Sequence, residues 1–393
     1  MTQPQQQAPA LTPSMPLVTV MAVACGLAVA NIYYAQPLLD LLTRQFGIGS
    51  GTASLIVTVT QIGYAAGLVF LVPLGDQVNR RRLITWTAAG TGAALAAAMI
   101  SPGFGWFVAA SFFIGVTATC AQIMVPMAAH LAEDGQRGAV VGRVMSGLLI
   151  GILLARAFSG IVADIAGWRA VFGIGALTMF VLAAVLYRAL PEEASAAARM
   201  SYPQTLRSVA ALLRDEPTLR RRIVYGGCGF AGFTIVWTAL PFLLARAPYH
   251  YGETAIGLFS LLGAAGALGA NAAGRLHDAG YGRRAVAGFM LAAIASFAGM
   301  GLFSTHVVAI VLGLFFMDLG VQGVQILNQS TIYALRPEAR SRITTAYIGC
   351  FFIAGAIGSA LAGVSFELAG WPGTMAVAGL LEAAALGFWA TER

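Results

Sequence analysis

The chain is dominated by apolar windows that recur from one end to the other. A hydrocarbon core of about 30 Å is crossed by about 20 helical residues. Hydrophobic residues make up 58% of the chain and charged residues 10%, against about 45–50% and 25% in soluble domains. The sequence therefore predicts an all-α membrane protein with twelve transmembrane helices, with approximate bounds 16–37, 51–73, 83–101, 104–130, 143–163, 169–190, 221–245, 252–274, 285–303, 307–335, 343–366 and 372–391.

The basic residues predict how these spans are oriented. All 23 are arginines, and the predicted loops place nineteen of them on one side of the membrane. Arg44, Arg169 and Arg246 fall on the other side, and Arg156 lies inside a span. Because basic loops stay in the cytoplasm, we expect both termini to be cytoplasmic. This distribution explains the net charge of +7, so no nucleic-acid partner is expected.

An internal duplication organises the spans into two halves. The tripeptide at Ala166–Trp168 returns at Ala369–Trp371, an offset of 203 residues, and other weak matches follow in the same order. We expect a disordered cytoplasmic tail at 1–15, a first six-helix half at 16–190, a cytoplasmic linker at 191–220 and a second half at 221–393. Both halves begin on one side, which is typical of the parallel repeats of one class of secondary transporters.

Two opposite charges lie deep inside the predicted spans. Arg156, in the fifth span, and Asp318, in the tenth, are each about eleven or twelve residues from a span end, which places both near mid-membrane. Buried charges need a partner or a water-filled cavity. One interpretation is a fixed ion pair between the halves. The other is a titratable carboxylate that exchanges a proton as substrate binds, tuned by the arginine.

Further polar residues interrupt the apolar pattern as candidate substrate contacts. Gln322, Gln325 and Gln329 share a helical face with Asp318 and line either a cavity or a polar helix contact. Aromatic candidates could also be anchors at the membrane interface, and Glu382 in the last span has no assigned role. The remaining candidate contacts are Asn31, Tyr33, Tyr34, Gln36, Gln61, Tyr64, Gln122, Trp237 and Asn328.

Small and reactive residues indicate packing more than chemistry. Glycines in the fifth and eleventh spans predict close helix contact, either a sliding surface between the halves or simple packing. The four cysteines lie in apolar spans without metal-ligand spacing and are interpreted as packing residues. The four histidines are scattered, and no nucleotide or flavin motif is present, so we expect no metal, no cofactor and no enzyme.

The loop after the second span carries a motif that resembles the major facilitator superfamily. The family pattern is Gly, three residues, then Asp-Arg-x-Gly-Arg-Arg. This chain reads "PLGDQVNRRRL" and departs from that pattern at Val72, Gln77 and Asn79. The resemblance covers the whole chain and implies a cytoplasmic latch that holds the outward-facing state. Its expected members are Asp76, Arg80, Arg81, Arg82, Glu133, Arg137, Arg143, Asp278, Arg283, Arg284, Glu338 and Arg340.

Three segments, "NIYYAQPLL", "VPLGD" and "LRPEARSR", are similar to a bacterial efflux branch for drugs and sugars. Its drug exporters carry an arginine where this chain has Ser111, and a proline in the fifth helix that is absent here. We therefore predict that Arg156 and Asp318 carry the buried-charge role. The expected function is export of small drug-like or sugar-like molecules by proton antiport and alternating access, by a monomer in the bilayer. A uniporter or importer is the alternative, and a membrane sensor or enzyme a remote one.

Overall fold

The computed structural model is helical throughout the part of the chain that it describes, residues 15–133, 135–192, 200–336 and 339–392. The side chains of residues 76, 265, 267 and 271 are not described, and the predicted tail, apart from Met15, lies outside these ranges. The helices are α1 Met15–Ala30, α2 Leu39–Phe46, α3 Ser50–Phe70, α4 Arg80–Met99, α5 Phe104–Thr117, α6 Cys120–Leu131, α7 Arg137–Ala166, α8 Trp168–Ala189, α9 Tyr202–Asp215, α10 Pro217–Leu244, α11 Glu253–Leu258, α12 Ala265–Asp278, α13 Gly282–Leu302, α14 Val307–Tyr333 and α15 Arg340–Ala390.

These helices combine into twelve membrane-length rods, which confirms the predicted fold class. Ten stretches of the described residues are long and apolar enough to span a bilayer. One of them, α15, is two helices joined at Gly370, whose φ of 60° breaks the helix and favours glycine. The 20-residue helix α4, about 30 Å long at 1.5 Å per residue, completes the set. The first, fourth and eighth spans are each formed by two shorter helices, α1 with α2, α5 with α6 and α11 with α12.

The first span is broken in the middle of the protein. Residues Asn31–Tyr33 and Gln36–Leu38 form short 3₁₀ turns between α1 and α2, and Pro37 supplies no backbone N–H. A broken helix leaves carbonyls without helical donors, and these must find partners inside a membrane protein. The hydroxyl of Ser159 on α7 donates to the carbonyl of Tyr34 at 2.6 Å. The break therefore has a fixed partner in the fifth span.

Close helix contact also joins the first and fifth spans within one half. A Cβ on Gly26 would lie 2.5 Å from the carbonyl oxygen of Gly147, and one on Gly151 would lie 2.3 Å from that of Gly26. Only glycine allows this approach. Two of the glycines predicted as a possible sliding surface are therefore packing residues inside the first half.

Two carboxylates join the halves at the arginine-poor end of the helices, the end that carries Arg44. Asp164 Oδ2 accepts the backbone N–H of Thr254 at 2.8 Å. Glu367 Oε1 accepts the backbone N–H of Gly51, also at 2.8 Å. The two acceptors are 203 residues apart, and so are the two donors. The contacts therefore repeat the duplication seen in the sequence.

The two capped helices have no side-chain caps of their own. Gly49 precedes α3 and Gly252 precedes α11, and neither provides a side-chain hydrogen bond. The first N–H groups of a helix need acceptors from elsewhere, and a carboxylate at this position also interacts favourably with the helix dipole. We call Asp164 and Glu367 the trans caps, because each caps a helix of the opposite half.

The other end of the helices, where Arg81, Arg221 and Arg283 lie, is less closed. On this side α6 and α7 make few close contacts with α12 and α14, whereas α7 packs against α11 near the arginine-poor end. The linker helix α9 bridges the halves here. Tyr202 donates its hydroxyl to the Phe70 carbonyl at 2.9 Å, and the buried Val209 and Leu212 pack in one cluster with residues of α15.

Candidate functional site

Arg156 lies buried at the interface between the halves, with two aromatic rings against its guanidinium. The side chain is 4% exposed. Its Cζ lies 4.6 Å from the ring centroid of Tyr33 and 4.6 Å from that of Trp237, so an aromatic ring from each half stabilises the cation. Its Nε donates to Gln36 Oε1 at 2.6 Å. Its second terminal nitrogen, Nη2, is buried without a hydrogen-bond partner.

Asp318 lies close to Trp237. Its side chain is 2% exposed, and its Oδ2 is buried without a hydrogen-bond partner. It interacts electrostatically with Arg156 and with the Trp237 indole N–H, but that N–H makes no hydrogen bond of normal geometry. A Cβ on Gly263, in the 3₁₀ turn before α12, would lie 3.5 Å from Oδ2.

The two charges do not form the fixed ion pair that was one interpretation of the sequence. No nitrogen of Arg156 lies within 4.0 Å of a carboxylate oxygen of Asp318, the limit for a salt bridge. The indole of Trp237 contacts both groups, with its face against the guanidinium and its N–H toward the carboxylate. Each charge therefore keeps a free hydrogen-bonding atom.

A cavity adjoins this centre, between the halves. Its free volume in this conformation is about 10 Å³, which is room for about one water molecule. Tyr33 and Gln36, the two first-half contacts of Arg156, form part of its wall. Its lining residues are Ile32, Tyr33, Gln36, Thr60, Gln61, Tyr64, Phe230, Phe233, Thr234 and Phe352.

Four of the predicted contact residues thus line the cavity, and others support it from behind. Gln61 Oε1 is buried without a partner. The hydroxyl of Tyr64 accepts a hydrogen bond from Gln122 Nε2 at 3.2 Å. Asn31 instead donates to the carbonyls of its own helix at Leu27 and Ala28. Tyr34 packs against Phe158, with ring centroids 5.6 Å apart.

The polar face of α14 is divided between different partners. Gln325 Oε1 accepts the hydroxyl of Tyr347 at 2.7 Å, and Asn328 donates to the same hydroxyl at 3.3 Å. For these two residues the contacts favour the polar helix–helix interpretation over a cavity lining. Gln322 lies against Gly266 of α12, and Gln329 is half-buried on the same helix.

The predicted latch residues mostly contact their own half in this structure. Arg81 pairs with Glu192 at 3.2 Å, and Arg80 donates to the Gly75 carbonyl. Arg143 contacts Met15, and the side chain of Asp76 is not described. Glu338 lies outside the described residues, and the other members are placed at the arginine-rich end: Arg82 at the start of α4, Glu133 and Arg137 around the start of α7, Asp278 at the end of α12, Arg283 and Arg284 on α13, and Arg340 at the start of α15.

Several residues of the site were not singled out by sequence reasoning. Phe230, Phe233 and Phe352 line the cavity, but phenylalanine in an apolar span has no distinguishing pattern. The trans caps do have a signal, since Asp164 and Glu367 are acids separated by the repeat offset of 203 residues. Comparing the two halves position by position would have found them.

Comparison with known proteins identifies the family. The sequence model described as Major Facilitator Superfamily matches residues 21–333 and 226–393. The chain is 42% identical over 374 residues to the "Uncharacterized transporter YgaY" of Escherichia coli O157:H7, covering 95% of this chain and 93% of the relative. It is 32% identical to the "Probable transporter SCO4007" of Streptomyces coelicolor, covering 92% and 84%.

Solved structures show the same fold at low sequence identity. A bacterial homologue of the human lysosomal transporter Spinster, in an inward-facing and unoccupied conformation, superimposes with a TM-score of 0.77 at 12% identity, covering 98% of this chain and 97% of that one. The nucleoside transporter NupG, in a mutant form, gives 0.78 at 12% identity over 96% and 100%. The chain therefore belongs to the Major Facilitator Superfamily, and its role is that of a membrane transporter, not of an enzyme.

Proposed function

We propose that this transporter is a proton-driven exporter of small organic molecules that works by alternating access. The observation that supports it best is a pair of buried, opposite charges without a direct ion pair, Arg156 from the first half and Asp318 from the second, each with one polar atom that lacks a hydrogen-bond partner. An unpaired ion in a membrane interior is unfavourable unless a ligand or a proton occupies it in turn. Because the two charges lie in different halves, the distance between them changes as the halves rock.

The proposed orientation follows from the arginines. If basic loops are cytoplasmic, the end closed by the trans caps faces outward and the less closed end faces the cytoplasm. The protein is then an inner-membrane monomer with both termini cytoplasmic, and this structure is its cytoplasm-facing state. The halves 16–190 and 221–393 are its two rocking units, linked by 191–220. In the opposite state the arginine-rich loop residues, including Asp76 and Arg81, form the latch.

Coupling requires that substrate and proton compete for one group. We assign this role to Asp318, because its buried Oδ2 has no hydrogen-bond partner and its charge interacts with Arg156 of the first half. A ligand shifts an equilibrium between states only through its different affinity for them. Substrate binding to the ionised carboxylate and protonation of that carboxylate favour opposite states, which ties export to proton entry.

The experiment measures proton movement in proteoliposomes with an imposed pH gradient. A panel of dyes, antibiotics, sugars and amino acids is added to wild type and to Asp318→Asn. We expect at least one compound to release protons from wild type, and the variant to be silent. Asp215→Asn is the matched control, because it removes the same charge from the linker helix, where the side chain is 49% exposed.

The result also separates the alternatives. Compounds that cross equally well in both proteins without proton movement would identify a uniporter and overturn the coupling role of Asp318. Proton-coupled accumulation in the opposite direction would identify an importer. Release by amphipathic dyes and antibiotics, or by sugars, would support the drug- and sugar-efflux branch.

A further inference from the structure

Four side-chain atoms near the centre are buried and lack hydrogen-bond partners, although the groups around them are tightly packed. Two are donors, Arg156 Nη2 and Trp237 Nε1, and two are acceptors, Asp318 Oδ2 and Gln61 Oε1. Buried polar atoms are normally satisfied, and each one left alone is unfavourable by about 1–3 kcal/mol. Both kinds of unsatisfied atom therefore occur in one region of the interface between the halves.

The charge of this region restricts what can satisfy these atoms. Arg156 stays cationic because guanidinium is not deprotonated in proteins. Asp318 is the carboxylic acid that interacts electrostatically with it. A simple cation bound at Asp318 would lie near the arginine, and a simple anion bound at Arg156 would lie near the carboxylate. Each meets a like charge in a poorly screened interior. A molecule with both charges meets neither repulsion.

The two protein charges interact electrostatically, but they do not neutralise each other in a direct ion pair. Trp237 contacts both of them, with its face on the guanidinium and its N–H toward the carboxylate. Gln36 and Tyr33 hold the guanidinium from the first half. A direct ion pair would have satisfied Arg156 Nη2 and Asp318 Oδ2, so its absence leaves both atoms available to a ligand.

The cavity beside this centre adds an apolar requirement. Its wall contains five aromatic rings, from Tyr33, Tyr64, Phe230, Phe233 and Phe352. Phe352 lies 4.4 Å from Tyr64 between ring centroids, so the aromatic surface is continuous across the interface between the halves. Such a wall favours an aryl or alkyl group. Its free volume of about 10 Å³ in this conformation holds only about one water molecule, so such a group enters only when the wall opens.

We propose that the substrate class is a small zwitterion with an aromatic or apolar side group, of the α-amino acid type. Its carboxylate binds Arg156, its ammonium group binds Asp318, and its side group packs against the aromatic wall when the cavity opens to admit it. This inference rests on the proposed function, because the zwitterion's ammonium group is what competes with the proton at Asp318. It narrows the cargo from small organic molecules in general to molecules that carry both charges.

The test uses four probes that share the phenylalanine skeleton and differ in which of its two charges is blocked. They are L-phenylalanine, its methyl ester as the cation, N-acetylphenylalanine as the anion, and N-acetylphenylalanine methyl ester as the neutral form. Binding to purified wild-type protein is measured by titration calorimetry, and flux by counterflow in proteoliposomes. We expect the zwitterion to bind roughly ten- to a hundredfold more tightly than the other three, as removing a partner from a buried charge implies.

Two variants change the ranking in opposite directions. Asp318→Asn removes the negative charge, so the anion becomes the best ligand. Arg156→Gln removes the positive charge, so the cation becomes the best ligand. Asp215→Asn on the exposed linker helix is the control and keeps the wild-type ranking. The wild-type series decides even if one variant fails to fold.

The outcomes separate this inference from the function on which it rests. Equal binding of all four probes, or tightest binding of the methyl ester to wild type, would overturn the proposal that the substrate is a zwitterion. If other compounds still release protons in an Asp318-dependent way, the proposal of a proton-driven exporter holds and the proposal of a zwitterionic substrate is wrong. If phenylalanine is transported with the expected ranking but moves no protons, the zwitterion site is supported and proton coupling is wrong.

Discussion

Ser159 illustrates how much one buried hydroxyl contributes at the scale of a residue. It donates to the Tyr34 carbonyl at the break in the first span and is 0% exposed. Ser159→Ala leaves that carbonyl without a partner, and we expect a loss of about 1–3 kcal/mol of stability. The midpoint of thermal unfolding in detergent measures it. Ser146→Ala is the control, since Ser146 is exposed on the same helix and bonds only to it. Equal unfolding midpoints for the two variants would show that the Ser159 hydrogen bond does not stabilise the break.

A substitution at Gln36 tests whether Arg156 must be free of a carboxylate partner to bind substrate. Gln36→Glu is nearly isosteric and places a carboxylate where the amide oxygen now accepts from Arg156 at 2.6 Å. The buried cation then has a permanent partner, so we expect the midpoint of unfolding to be no lower than in wild type and phenylalanine counterflow to fall at least tenfold. Gln45→Glu on the exposed end of α2 is the control. Unchanged flux would show that Arg156 does not bind substrate.

Sequence reasoning at this scale found the charges but not their relation. Depth in the membrane follows from position along a span, so Arg156 and Asp318 were identifiable as deep residues. Their lack of a direct ion pair depends on where the Trp237 side chain lies, and that orientation depends on packing between two halves. The contact of Gln325 with Tyr347 could not be distinguished from a cavity lining for the same reason.

The trans caps make a prediction at the scale of helices. Asp164→Asn and Glu367→Gln each weaken one cap, and loss of a helix cap typically removes about 0.5–2 kcal/mol. We expect the population closed at this end to fall roughly two- to thirtyfold per cap relative to the open one. The two variants should have comparable effects, because both caps have the same length and position, and the double variant should be nearly additive.

Distances between spin labels measure this change. One label is placed at Gln45 in the first half and one at Leu368 in the second, both exposed at this end, in a chain whose four cysteines are replaced. The short-distance population should decrease in the order wild type, single variant, double variant. A label pair that does not respond to the double variant would show that other contacts close this end.

The helices themselves were largely predictable, because bilayer length and apolar runs determine where they lie. All twelve predicted spans correspond to rods in the structure. The breaks at residues 31–38 and 259–264 were less accessible. Pro37 indicated the first, but no proline or polar run marks the second. The caps depend on two helices from different halves meeting, which no local pattern shows.

The proposed exchange of one proton for one zwitterion predicts an electrical effect at the scale of the whole molecule. The zwitterion carries no net charge, so each cycle of such an exchange would move one positive charge inward. A membrane potential contributes about 2.3 kcal/mol per charge per 100 mV, so an inside-negative potential alone should support a concentration ratio of roughly fiftyfold per 100 mV. Potassium diffusion potentials imposed on proteoliposomes at equal pH, with labelled phenylalanine, measure this. A phenylalanine concentration gradient that does not change with the membrane potential would indicate a different stoichiometry.

The duplication predicted the two-half plan, but not which end is closed. Both states of a rocking protein use one sequence, and helix periodicity is the same in each. Contacts such as Asp164 with Thr254 distinguish the states, because they exist only when the halves meet at that end. The conformation is therefore a property of the assembled molecule.

The trans caps also make the protein its own conformational reporter. The amides of Gly51 and Thr254 are hydrogen-bonded to the opposite half, and each is protected from isotope exchange only while that contact holds. Deuterium uptake by the peptides around these two residues, followed by mass spectrometry in native vesicles, would count openings of that end without any label. A compound that is carried would alter the uptake of both peptides together, and one that merely adheres to the surface would leave it unchanged.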